Sequence, residues 1–164
     1  MTPTFKDSFT YNNKLILLDW FDLVGKKLPD VEWEQVYIIG DIGGKVPLVV
    51  HESGAINLPG GHTEPGETVE QTLRREIVEE LNMKVTDWKL LGYQHLTEPD
   101  GKEVNQLRVY AKLAKIGDFK NDPGGTVTGH ILIDLKNLND FIHYGKTGGQ
   151  LIKLAAPLFE KGAK

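Results

Sequence analysis

The segment from Gly61 to Met83, GHTEPGETVEQTLRREIVEELNM, can fold well in essentially one way, as a glycine-punctuated loop running into an amphipathic helix. Val69, Leu73, Ile77 and Leu81 recur every four residues, the spacing of an apolar stripe down one helix face. Thr68, with Gln71 three residues on, predicts a capping box in which hydroxyl and amide each satisfy a free backbone donor. Glu76, Glu79 and Glu80 fall on a narrow arc beside the stripe, because i, i+3 and i+4 neighbours share a face. Like charges so placed repel, and Arg75, which reaches Glu79 at i+4, cannot neutralise three carboxylates alone. A hard divalent cation can, and an all-oxygen donor set suits Mg²⁺ or Mn²⁺. The bland alternative is a solvated acidic helix face. What precedes the helix argues against it: Leu58-Pro59-Gly60-Gly61-His62 and Pro65-Gly66-Glu67 form a loop able to bring backbone close to the carboxylates.

The spacing of Gly61, Glu67, Arg75-Glu76, Ile77, Glu79-Glu80 and Met83 resembles the Nudix box, G-x5-E-x7-R-E-U-x-E-E-x-G-U, where U is bulky and aliphatic. Asn82 is the one departure, standing where that pattern has glycine. The glycine ends the helix with φ > 0, and asparagine is the side chain that best tolerates that conformation. A C-cap of conserved geometry is therefore expected. The resemblance implies that Glu76, Glu79 and Glu80 are metal-binding catalytic carboxylates and that Gly60 adds a carbonyl ligand. It implies that Glu67 and Arg75 brace the loop and orient the carboxylates. Gly61, His62, Arg75 and Pro99 are the implied substrate-binding positions.

The activity implied is a Mg²⁺-dependent pyrophosphohydrolase that cleaves the diphosphate bond of a nucleoside diphosphate linked to another moiety. Glu76 or Glu79 would be its general base. Pro99, sixteen residues beyond the box, resembles the ADP-ribose-cleaving branch, and a Pro-Asp-Gly turn explains the same residue. Two other readings stay open: a silent nucleotide-binding regulatory module and a house-cleaning nucleoside-triphosphate pyrophosphatase. Retention of every box carboxylate favours catalysis. Some relatives add a glutamate from the loop before the last strand, where this chain offers Asp122 and His130 instead. Arginines often follow the second strand, where this chain has His51-Glu52, so phosphate binding falls to the metal and to Arg75, Lys102 or Arg108. Tyr93, His95, Asn105, Gln106 and Tyr110 are candidates to stack on, or hydrogen-bond to, a base or sugar.

A length of 164 residues suits one domain. The boundaries expected are an N-terminal extension over residues 1–30 and a Nudix-like domain over residues 31–164. Net charge of −4 gives no electrostatic footprint for duplex nucleic acid, and the absence of cysteine excludes thiol catalysis. The N-terminus has no apolar h-region, so no membrane span or signal is expected and the cytoplasm is the default location. A homodimer stays open. Residues 14–24 read as a short helix or a strand. Strands are expected over residues 32–39, 45–51, 88–96, 104–113 and 131–135, with a hairpin turn at Glu98–Lys102 and a long loop over residues 117–129. Residues 137–142 suit a helical turn, and residues 150–160 a helix with Leu151, Leu154, Ala155 and Leu158 inward. Trp20, Trp33 and Trp88 are read as core. This order predicts an α/β/α sandwich around a mixed β-sheet, the Nudix fold that the resemblance implies.

Overall fold

The computed structural model describes residues 1–162. Residues 14–22 settle as strand, not helix: β1 (Phe5–Tyr11) and β2 (Lys14–Asp22) form a hairpin. Its two turn residues, Asn12 and Asn13, both hold positive φ, 49° and 61°. That is the backbone a two-residue hairpin turn demands, and asparagine supplies it at little steric cost. β2 then pairs with β7 (Met83–Thr97), Trp20 opposite Gln94, so the first thirty residues contribute two strands to the main sheet.

β3 (Gln35–Asp41) runs parallel to β8 (Glu103–Lys115) and antiparallel to β6 (Gly60–His62). The six-stranded mixed sheet has the order β1-β2-β7-β8-β3-β6. A smaller sheet places β4 (Val46–His51) between β5 (Ile56–Asn57) and β9 (Val127–Ile133). Helix α1 (Val69–Leu81) covers one face of the main sheet, while α2 (Leu138–Phe141) and α3 (Lys146–Gly162) cover the other. The α/β/α architecture expected from the element order is the one found.

Alternation along the central strands divides the core in two. Val36 and Ile38 join Leu107, Val109 and Ala111 against Leu73, Ile77 and Leu81 of α1. Ile39 and Tyr110 point the other way, toward Leu138, Leu151 and Ala155. Trp20 is fully buried, stacked on Phe5, whereas Trp33 and Trp88 pack only partly against the core. β9 starts at Val127, four residues before the expected Ile131, because Gly129 and His130 pair with Val50 and Val49. Pairing there follows the backbone ladder, not side-chain hydrophobicity. α3 likewise starts at Lys146, a turn earlier than expected; of the residues expected inward, Leu151 and Ala155 are buried while Leu154 and Leu158 are half-buried. Among the described residues no helix is long and apolar enough to cross a membrane.

Asn82 caps α1 in the left-handed region at φ 51° and ψ 45°. Its side chain does something glycine could not, donating from Nδ2 to the Asp118 carbonyl at 2.9 Å. Its own carbonyl accepts from Ile116 at 3.1 Å, so both halves of the residue tie the end of β8 to the helix. Asn82→Ala forfeits the side-chain bond and forces a methyl-bearing residue into αL, a loss of about 1–2 kcal/mol in urea unfolding. Asn82→Gly loses the bond alone and is expected to be the milder change. Equal losses in the two variants would show that backbone conformation plays no part.

Candidate active site

The site is built where α1 meets β6. Thr68 Oγ1 accepts from Gln71 N at 3.1 Å while Gln71 Oε1 accepts from Thr68 N at 2.8 Å, completing the expected capping box. This fixes the helix start relative to the glycine loop. Arg75 then ties the two together. Its Nε and Nη2 donate to both Glu67 oxygens at 2.6 and 3.0 Å, and Nη2 also donates to the His62 carbonyl at 2.9 Å. Its Nη1 donates to Glu76 at 3.0 Å and to Glu79 at 3.3 Å. Glu67 accepts further from Glu64 N and Thr72 Oγ1, each at 2.9 Å. The Arg75 hydrogen bonds hold the Glu67 carboxyl down at about 2, against burial, with Glu64 N and Thr72 assisting.

The carboxylates beside Arg75 are less well provided for. Glu76 and Glu80 are buried, and Glu79 is half-buried. Burial raises Glu76 above the usual carboxylate range, Arg75 opposes, and the charges of Glu79 and Asp122 add to the rise. Burial pushes Glu80 up to about 8 even though Gly60 N donates to it at 2.7 Å, with Glu76, Asp122 and Glu79 adding to the rise. The glycines leave room for this packing. A Cβ on Gly61 would stand 2.6 Å from Glu76 Oε1, and Gly60 holds φ 138° hard against Val36 and Tyr37. One guanidinium serving Glu67, Glu76 and Glu79 leaves a deficit of positive charge, which an oxygen-loving divalent cation fits. Glu76, Glu79 and Glu80 with Gly60 are the groups placed to hold it. Among the described residues no three acidic or histidine side chains converge to ion-binding distance as they stand. The reason is visible: Arg75 occupies Glu76 and Glu79, and Gly60 N engages Glu80.

A cleft of about 920 Å³ opens on the other face of the sheet. Its floor is a row of side chains across four strands, Gln94, Gln106, Gln35 and His62, which the strand register sets side by side. Gln94 Nε2 donates to Gln106 Oε1, Gln106 Nε2 to Gln35 Oε1, and Gln35 meets His62 Nε2 at 3.2 Å. Tyr37, Arg108, Lys102 and Tyr144 also line it. Sequence reasoning missed Tyr37, Tyr144, Gln35 and Gln94. Alignment of β7, β8 and β3 was needed to find Gln94, Gln35 and Tyr37, and Tyr144 comes from the connection between α2 and α3.

Other candidates are sorted by the same geometry. Pro99 is exposed in the β7–β8 turn and lines no part of the cleft, though Glu98 and Lys102 on either side of it do. Tyr93 stacks on Phe21 at 4.7 Å on the α1 side, and Tyr110 donates to Asp41 on the α3 side, so both are committed to packing. His95 pairs with Asn105 at 2.8 Å, which leaves Gln106 as the member of that set in the cleft. Trp33, read as core, also lines a second opening of about 800 Å³ beside Glu64–Val69. His51 and Glu52 bond to Thr126, a structural use of the position where arginines were looked for. Asp122 bears on Glu76 and Glu80, whereas His130 does not and keeps its Nδ1 buried without a partner.

The elevated Glu80 sets a pH dependence for the metal-free protein. Ionising that carboxyl opposes folding, so the penalty is absent below about pH 4.5, grows with pH, and levels off above about 8. In EDTA, wild-type melting temperature is expected to fall across that window relative to Glu80→Gln. Parallel profiles for the two proteins would rule out an uncompensated carboxylate at this position.

Comparison with known proteins agrees with this architecture. The Bacillus subtilis putative 8-oxo-dGTP diphosphatase YtkD is 39% identical over 59 residues, covering 36% of this chain and only 37% of that protein. A mutant of the Bacillus subtilis pyrophosphohydrolase BsRppH superposes with TM-score 0.64 and 23% identity over 94% of each chain. An ADP-ribose pyrophosphatase from Streptococcus suis gives TM-score 0.51 and 17% identity, covering 79% of this chain and 91% of that one. These two structural likenesses speak to the fold. The NUDIX domain profile matches residues 36–142, well over half the sequence, and this chain therefore belongs to the NUDIX family.

Proposed function

We propose that this chain is a divalent-metal-dependent hydrolase of phosphoric anhydrides that cleaves the pyrophosphate bond of a nucleoside-diphosphate derivative. The observation that carries this is the set of three carboxylates, Glu76, Glu79 and Glu80, packed against Gly60–Gly61 with a single guanidinium among them. Mg²⁺ is the cation proposed, with Mn²⁺ as its substitute, held by those carboxylates and Gly60. When bound, it would neutralise phosphate oxygens and make water a stronger nucleophile near neutral pH.

The protein's own groups have separable parts in this reading. Glu67 stays ionised and holds Arg75, and Arg75 keeps the loop against the helix so that Gly60 faces Glu80. Arg75 has every nitrogen engaged, so its place is as a brace and not as a phosphate ligand. Glu79 is the proposed general base: 31% of its side chain is exposed against 11% for Glu76, which gives it the better access to water. Gly61 and His62 form the wall between the carboxylates and the cleft, with His62 contributing its side chain to the cleft lining.

The names of the relatives, which span an oxidised nucleoside triphosphate, ADP-ribose and a pyrophosphohydrolase, support a common bond rather than a common leaving group. Pro99 lies off the cleft, so it lends no support to ADP-ribose over a nucleoside triphosphate. A silent binding module is disfavoured by the intact acidic trio.

Turnover of ADP-ribose, dinucleoside polyphosphates, nucleotide sugars and oxidised deoxynucleoside triphosphates, with and without Mg²⁺, tests the reading. Hydrolysis of at least one, abolished by EDTA, is expected. Glu79→Gln and Glu80→Gln should each lower kcat by about 100-fold or more, the scale of losing a principal electrostatic group, with the fold intact by circular dichroism. Unchanged turnover in either variant would remove that residue from the site. Retained nucleotide binding with no hydrolysis of any substrate would point to the silent module instead.

A further inference from the structure

Arg108 is a buried cation with no carboxylate partner among the described residues. Only 2% of its surface is exposed, and its Nε has no hydrogen-bond partner. Its two nitrogen contacts are long, 3.4 Å to the Leu107 carbonyl and 3.3 Å to Gln106 Oε1. The groups whose charge bears on it are the Tyr37 and Tyr144 hydroxyls, and no carboxylate is among them. Arg75, on α1, hydrogen-bonds to three glutamates, so the contrast is within one molecule.

Two tyrosine rings lie against this guanidinium. Its centre lies 4.7 Å from the Tyr37 centroid and 5.7 Å from that of Tyr144. Tyr144 is itself fixed by a hydrogen bond to Asn57. The rings offer the guanidinium cation–π contact, and its N–H groups carry only the two long bonds, leaving a planar fork whose shape matches two oxygens of a phosphate. Arg108 lines the 920 Å³ cleft, and the Gln94–Gln106–Gln35 row secures Gln106 beside it. The arginine stands one ring away from the acidic pole. Tyr37 lies between: a Cβ on Gly60 would meet its Cδ1 at 3.0 Å, and the charges of Glu80 and Glu76 reach its hydroxyl.

We propose that Arg108, packed against Tyr37 and Tyr144, is a built-in receptor for a phosphate group of the substrate, facing the cleft one tyrosine ring from the carboxylates. This rests on the phosphoric-anhydride reading above. A neutral ligand would leave the guanidinium uncompensated, and an anionic one relieves it, since a buried charge is costly until paired. Asp7, Glu34, Glu98 and Glu103 also line the cleft. They would repel an anion that had no cation to reach; Lys102, on the cleft rim, and Arg108, buried in its wall, supply the opposing charge.

Inorganic pyrophosphate in EDTA is the direct probe, because it tests Arg108 without the metal and without turnover. Wild-type protein is expected to bind it in calorimetry. Arg108→Met should weaken binding by about tenfold or more, with partial recovery in Arg108→Lys, which keeps charge and loses the fork. The Met variant should melt no lower than wild type, since it removes an unpaired charge and keeps the volume. With Mg²⁺ and an active substrate, KM should rise by a similar factor, about tenfold, while kcat holds, and the factor should be the same for purine and pyrimidine nucleotides.

Wild-type protein that ignores pyrophosphate without metal overturns the proposal, whatever the variants do. A penalty confined to one base also overturns it, because that would make Arg108 a reader of base edges. An enzyme that binds pyrophosphate through Arg108 and hydrolyses nothing would sink the proposed activity and leave this receptor standing.

Discussion

The Arg75–Glu67 pair is the contact on which the site depends. A glycine-rich loop and a helix face have no intrinsic reason to stay in register to within an ångström. Arg75 supplies one by bonding the loop's Glu67 and His62 carbonyl with one edge and the helix's Glu76 and Glu79 with another. Because Glu67 is held near 2, neither partner loses its charge at any ordinary pH. The clamp also has a limit that explains the rest of the electrostatics. A single positive charge distributed over three carboxylates leaves Glu80 with nothing better than a backbone N–H. Its raised affinity for protons is the same deficit that a divalent ion would meet.

Half of the clamp was legible in the sequence because it is local. Arg75 lies four residues from Glu79, and helical periodicity converts that interval directly into a contact. The capping box and the Asn82 C-cap are legible for the same reason. The tie of Arg75 to Glu67, which lies outside the helix, was an expectation of the family resemblance alone. β2 was harder. Its inward Ile16, Leu18 and Trp20 alternate with Leu15 and Leu17, which are apolar and more than half exposed, so the two-residue period is masked. Asn12-Asn13 was the overlooked signal, a two-residue turn that favours the hairpin over a helix. β9 was cut short because Thr128, Gly129 and His130 carry little hydrophobic pattern, and its pairing with β4 is a backbone matter.

The cleft was the least legible part, and the cause is register. Gln94, Gln106, Gln35 and His62 are scattered between residues 35 and 106 of the sequence and become one row only when β7, β8, β3 and β6 align. Nothing local distinguishes Gln35 from any other polar strand residue. Arg108 shows the same effect in reverse. Lys102 and Arg108 were equivalent cations in the sequence, but burial and the two tyrosine rings separate them. Pro99 had two readings in the sequence, its spacing from the helix and a Pro-Asp-Gly turn, and it sits in the turn that the Glu98–Lys102 and Glu98–Gly101 backbone bonds close.

Charge layout gives the two poles different physical characters. At the acidic pole the cluster needs a mobile cation, because a diphosphate brought against bare carboxylates would be repelled. At the far pole the cation is covalent and immobile, with its cost of burial already met by the fold. On the proposed reading such an arrangement would give a substrate a direction: an anion would reach Arg108 without metal, whereas approach to Glu76, Glu79 and Glu80 would require it. Tyr37 packs against Gly60 and against Arg108, so β3, the strand that carries it, is the element that joins the two poles.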